Sequence, residues 1–90
     1  MIVEIYGKEQ CPFCTKAKGL AEREGHEFTY KQLGIDFEFP EFMETFPSAR
    51  TFPQIIVDGE KVGGYTEYEA LVKWEEKLLQ IYLVPNLVVS

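Results

Sequence analysis

Cys11 and Cys14, three positions apart in the segment Cys11-Pro12-Phe13-Cys14, are the residues of this sequence best suited to chemistry. A Cys-x-x-Cys pair admits three readings. A structural zinc site needs two further Cys or His ligands at suitable spacing. The sequence holds no other cysteine and one histidine, His26, twelve residues beyond Cys14. A structural staple would close a very small loop and so constrain the unfolded chain little. A redox pair belongs at a helix N-terminus that follows a strand in a β-α-β pattern, and the flanking elements supply that setting. Cys11 precedes the helix, where its sulfur can face unpaired N–H groups and the positive end of the dipole. Lys8, Lys16 and Lys18 make the neighbourhood basic. Both effects lower a thiol pKa from about 8.5 toward neutrality. Cys14, one turn inside the helix, is expected to be buried and to attack from within. The mechanics favour the redox pair.

The elements that must hold this pair are legible from spacing. Residues 2–6 are β-rich and end at Gly7, a strand followed by a turn. Pro12 suits a first helical position, Cys14, Ala17 and Ala21 share one face, and Gly25 caps the end. Phe28, Tyr30 and Gln32 alternate with Thr29 and Lys31, predicting a second strand over 27–33. Phe39, Phe42, Met43 and Phe46 fall at helical spacing between Pro40 and Pro47, so this aromatic stripe is expected in the core. Residues 54–57 form a strand, Asp58-Gly59 a hairpin turn, and residues 60–62 the return. Thr66 and Glu69 give a capping-box pattern with Thr66 as N-cap. The helix behind it carries Tyr68, Leu71, Val72, Leu78, Leu79 and Tyr82 on one stripe and stops at Pro85. The order is β-α-β-α-β-β-α, an α/β sandwich with a mixed sheet covered by helices.

Composition narrows the function classes. At 90 residues the chain suits a single domain over 1–90, and 46% hydrophobic residues place it well away from disorder. A net charge of −6 argues against nucleic acid as a partner, which requires a clustered positive surface. No apolar run approaches the roughly 18 residues a membrane helix needs. The start, Met1-Ile2-Val3-Glu4, has no basic n-region, so no secretory signal is read and a cytoplasmic location is expected. In a reducing cytosol a purely structural disulfide is not expected.

Three segments together resemble the glutaredoxin family. Cys11-Pro12-Phe13-Cys14 is similar to its dithiol site, which usually has Tyr where this chain has Phe13. Thr51-Phe52-Pro53 resembles the family's Thr-Val-Pro, and Gly63-Gly64-Tyr65-Thr66-Glu67 its Gly-Gly-x-x-Asp element. The resemblance covers about residues 1–80, and the tail 84–90 lies beyond it. It implies a thioredoxin-like fold with a four-stranded sheet and helices on both faces, a Cys11–Cys14 redox-active disulfide, and Cys11 and Cys14 as the catalytic pair. It implies glutathione as electron donor with no tightly bound cofactor or metal. Protein disulfides and glutathione mixed disulfides would be substrates, and ribonucleotide reductase is one partner commonly served in the family. A monomer is expected.

The same resemblance implies a glutathione site. Pro53 would be cis, turning the Phe52 backbone outward to pair with the cysteinyl unit as an added strand does. Thr51 and Phe13 would flank it, Phe13 by apolar contact alone because it lacks the Tyr hydroxyl. Gly64 would let the ligand approach the backbone closely, and the γ-glutamyl carboxylate would sit on the amides around Tyr65 to Glu67 and on the Thr66 hydroxyl, at a helix N-terminus. Glu67, one methylene longer than the family's Asp, would bind the ammonium. Lys8 would contact the glycyl carboxylate and stabilise the thiolate, and Arg50 could assist that carboxylate. His26 is expected at the surface or in a loop. Two rivals remain: a thioredoxin- or redoxin-type reductase served by a reductase enzyme, and a carrier bridging two chains by an iron–sulfur or zinc site.

Overall fold

The computed structural model describes residues 1–83, with side chains through Lys77. The expected stop at Pro85, the placing of Leu78, Leu79 and Tyr82, and the tail 84–90 lie outside what is described. The elements run β1 (Ile2–Gly7), α1 (Pro12–Arg23), β2 (Glu27–Gln32), α2 (Phe39–Thr45), β3 (Gln54–Val57), β4 (Glu60–Gly63) and α3 (Tyr65–Leu83). The expected order is therefore the observed one. The sheet order is β2-β1-β3-β4, with β1 parallel to β2 and β3 antiparallel to both β1 and β4.

Alternation along β1 and β3 divides the interior into two cores. Val3, Ile5, Ile55 and Val57 point to the face covered by α1 and α3, where they meet Ala17, Leu20, Ala21, Tyr68 and Val72. Tyr6 and Ile56 point to the other face and pack on Phe37, Phe42 and Phe46. Helices thus lie on both faces. The small residues Ala17 and Ala21, both fully buried, belong to the same α1 face as Cys14. That face brings the dithiol end of the helix down on the end of β1.

Two expectations need correction. Phe39 is 53% exposed and not in the core, because Phe37 from the preceding loop stacks on Phe42 at 5.7 Å and fills that space. Helix α2 is only seven residues long and opens with a capping box between Glu38 and Glu41 that its aromatic spacing does not reveal. Thr66 is not the N-cap of α3. The Gly64 carbonyl accepts the Tyr68 N–H at 3.1 Å, so the helix starts at Tyr65 and Thr66 falls inside its first turn.

Turns close as the sequence predicts. Gly25, at φ +71°, ends α1 in a Schellman arrangement, with the His26 N–H on the Ala21 carbonyl and the Gly25 N–H on that of Glu22. Asp58 and Gly59, at φ +51° and +86°, have the left-handed backbone of a type I′ hairpin turn.

Tyr68 is wholly buried, and its hydroxyl lies 2.6 Å from Nδ1 of half-buried His26, tying α3 to the end of α1. Burial, with Glu24 nearby, pushes the Tyr68 phenol up to about 12. A raised phenol favours the fold in its neutral form, so this contribution is complete below pH ~10 and is lost as pH rises toward the native value. Tyr68→Phe should cost about 1–2 kcal/mol at neutral pH by deleting the bond to His26. Urea midpoints between pH 10 and 12 should fall steeply for the parent and less steeply for the variant.

Candidate active site

The loop after β1 delivers Cys11 to the N-cap of α1 in extended conformation (φ −123°, ψ 98°). Its sulfur accepts the Cys14 N–H at 3.2 Å, and its carbonyl accepts the N–H groups of Cys14 and Thr15 at 3.1 and 3.2 Å. Pro12 occupies the first helical position, where an N–H would lack an acceptor. Cys11 and Cys14 are joined in a disulfide with their Cα atoms 5.2 Å apart. Cys11 is partly exposed, whereas Cys14 is 1% exposed.

Gly7 makes that burial possible. A methyl group added there would overlap the Tyr30 hydroxyl and lie 3.1 Å from the Cys14 sulfur. The end of β1, the phenol of β2 and the inner sulfur therefore converge on one point. No periodicity signals this, since the three residues belong to three elements.

Three lysines surround the dithiol, each over an aromatic face. Lys8 Nζ lies 5.7 Å from the Phe52 ring centre, Lys16 5.0 Å from Phe13, and Lys18 5.5 Å from Tyr30. Such contacts contribute about 0.5–1 kcal/mol at exposed sites and restrict where the ammonium groups sit. They keep positive charge around Cys11 in a protein of net charge −6, favouring a sulfur anion there.

The Cys11-Pro12-Phe13-Cys14 segment separates two hollows. On one side Cys11, Pro12, Lys8, Lys18, Tyr30 and Gln32 line a space of about 630 Å³. On the other, Phe13, Thr51, Phe52, Pro53, Gly64, Tyr65, Thr66 and Glu67 line a groove of about 340 Å³. The Phe52–Pro53 peptide bond is cis. Phe52 stacks on Phe42 with ring centres 4.6 Å apart, anchoring this wall to the second core. Phe13 and Tyr65 face each other at 6.0 Å across the mouth. A Cβ on Gly64 would be in ordinary contact with the Pro53 carbonyl, 3.4 Å away, so the start of α3 runs alongside that segment.

Glu67 has a task that spacing alone does not disclose. Its Oε1 accepts the Gly64 N–H at 2.7 Å, so it caps its own helix. The Gly64 amide is therefore already satisfied. The amides of Tyr65, Thr66 and Glu67 open the first turn and have no acceptor within the helix. Arg50 lines a neighbouring hollow of about 640 Å³ with Gly63, Lys61 and Glu67. Among the described residues no three His, Cys, Asp or Glu side chains gather as a metal site would require.

Comparison with known proteins points one way. The family described as Glutaredoxin matches residues 3–62. A Haemophilus influenzae protein named "Glutaredoxin" is 38% identical over 80 residues, 81% of this chain and 92% of that protein. "Glutaredoxin 1" of Escherichia coli is 38% identical over 76 residues, covering 77% and 89% respectively. The solved structure of reduced E. coli glutaredoxin superposes with a TM-score of 0.70 at 32% identity, covering 86% of this chain and 99% of that one.

The geometry at Gly7 yields a direct expectation. Gly7→Ala should destabilise the protein by about 1–3 kcal/mol in urea denaturation, because the methyl must displace the Tyr30 hydroxyl and the disulfide-tethered Cys14 sulfur. Gly19→Ala, where no atom lies within 4 Å of the added methyl, should be neutral or stabilising.

Proposed function

The chain belongs to the glutaredoxin family, whose members are thiol-disulfide oxidoreductases, and from that premise we propose that it is a dithiol enzyme driven by glutathione. Protein disulfides and glutathione mixed disulfides are its substrates, ribonucleotide reductase among the candidates, in a reducing cytoplasm. The observation that carries this reading is the groove beside the dithiol. A cis proline, the first turn of α3 and Phe13 form its walls, and Lys8 stands over the Phe52 ring at its edge.

The Cys11 thiolate attacks a substrate sulfur, forming a mixed disulfide and expelling the substrate's other sulfur as a thiolate. Cys14 then attacks Cys11, releasing the reduced substrate and closing the Cys11–Cys14 disulfide. One glutathione thiolate reopens that bond at Cys11. A second attacks the bound glutathione sulfur, so two thiols become one glutathione disulfide and the dithiol returns.

Bound glutathione pairs its cysteinyl unit with the Phe52 backbone and lays its sulfur toward Cys11. Its γ-glutamyl carboxylate meets the amides of Tyr65, Thr66 and Glu67, where the helix dipole favours an anion. Glu67 spends Oε1 on Gly64 and keeps Oε2 for the ammonium. Lys8 takes the glycyl carboxylate.

Two variants test this. Glu67→Gln keeps an oxygen for the Gly64 amide but removes the charge, so glutathione kcat/KM should fall by about 1–3 kcal/mol while folding stability is retained. Unchanged glutathione kinetics would remove Glu67 from the site. Cys14→Ser should keep glutathione-dependent release of glutathione from modified proteins and lose most reduction of protein disulfides, whereas Cys11→Ser should lose both. Turnover with thioredoxin reductase but not with glutathione would overturn the reading.

A further inference from the structure

The side chains of four tyrosines are described, and three have hydroxyls with a partner. Tyr6 is bonded to Lys31, Tyr65 to Glu69 and Tyr68 to His26. The Tyr30 hydroxyl has none among the described residues, although it is directed at the crowded point beside Gly7 that the Cys14 sulfur also occupies. Its ring is held by Lys18 at 5.5 Å and forms part of the wall of the Cys11 hollow. Partial burial raises the phenol above its ordinary value, so the O–H stays available as a donor throughout the neutral range.

Cys14 needs such a donor. When a thiolate attacks Cys11, the Cys11–Cys14 bond breaks and Cys14 departs with the electron pair. A sulfur 1% exposed to solvent then becomes an anion with almost no water around it. The one hydrogen bond the structure gives the dithiol sulfurs, from the Cys14 N–H, goes to Cys11 instead. An unpaired buried charge is strongly disfavoured, and a hydrogen bond to the charged form offsets that cost.

We propose that the Tyr30 hydroxyl donates a hydrogen bond to the Cys14 sulfur as it leaves Cys11, and to the same thiolate when it attacks in the reverse direction. Tyr30 retains its proton throughout. The departing thiolate later takes a proton from solvent through the hollow that Tyr30 lines. This role rests on the proposed reading only in taking Cys11 as the sulfur that external thiols attack.

Tyr30→Phe tests it, since the ring and its contact with Lys18 remain. The oxidised protein is mixed with dithiothreitol, and reduction of its disulfide is followed by stopped flow. The variant should react about tenfold more slowly, the loss expected for one hydrogen bond to a charged sulfur. The same substitution is then made in Cys14→Ser protein carrying a glutathione mixed disulfide on Cys11. There Cys14 is not the leaving group, and dithiothreitol should react at the rate of the unsubstituted mixed disulfide. Equal rates for Tyr30→Phe and parent in the first experiment, or equal slowing in both, would overturn the proposal. If dithiothreitol reproduces the predicted pattern but glutathione fails to turn over the parent protein, the glutathione reading fails and the role of Tyr30 stands.

Discussion

Everything in this molecule turns on holding one sulfur at the end of a helix while burying another one turn inside it. The Cys11 sulfur accepts the Cys14 N–H, so the group that must carry negative charge sits at the N-terminal end of α1, where the helix dipole favours an anion. That works only if α1 docks with its first turn against the end of β1. Gly7 permits the approach, Ala17 and Ala21 keep the helix close to the sheet, and the parallel β1–β2 pair supplies the Tyr30 that closes the gap. Reactivity and packing are therefore one constraint. A larger residue at Gly7 would disturb the helix end and the inner sulfur together.

The groove beside the dithiol is built by a second convergence. The Thr51–Pro53 segment runs into β3, and the Gly63-Gly64 pair leads from β4 into α3. Antiparallel pairing of β3 with β4 sets these two ends side by side. Phe52 is the hinge between interior and site, with one neighbour in the aromatic core at Phe42 and another in the Lys8 ammonium above its ring. The second core, which could pass for simple filling, thereby fixes a cation beside the dithiol.

The sequence made local and periodic features readable. Proline after Cys11, glycine at Gly25 and Asp58-Gly59 each dictate a backbone geometry within a few residues, and the structure has each of them. Features that depend on distant segments did not announce themselves. His26 and Tyr68 are 42 residues apart, and only the fold brings them to hydrogen-bonding distance. Phe39 fits the helical stripe by spacing, yet Phe37, outside the helix, competes for the same volume and wins it. Thr66 is a sound N-cap by residue type. Glu67 decides otherwise by reaching back to Gly64 and starting the helix two residues sooner. The dithiol was legible because its chemistry needs only a strand, a turn and a helix end. The Tyr30 hydroxyl was not, because it comes to the Gly7 end of β1 from a different strand.

The central claim is that the two sulfurs differ in both charge and access because of where the helix begins. The most direct measurement reduces the protein and follows iodoacetamide labelling of each cysteine by peptide mass spectrometry across pH 4–9. Cys11 should label readily at mildly acidic pH, with its rate levelling off well below the ordinary thiol titration near 8.5, while Cys14 stays largely unmodified until the protein unfolds. Labelling of Cys14 before Cys11, or a Cys11 rate that rises only through the ordinary thiol range, would contradict the account.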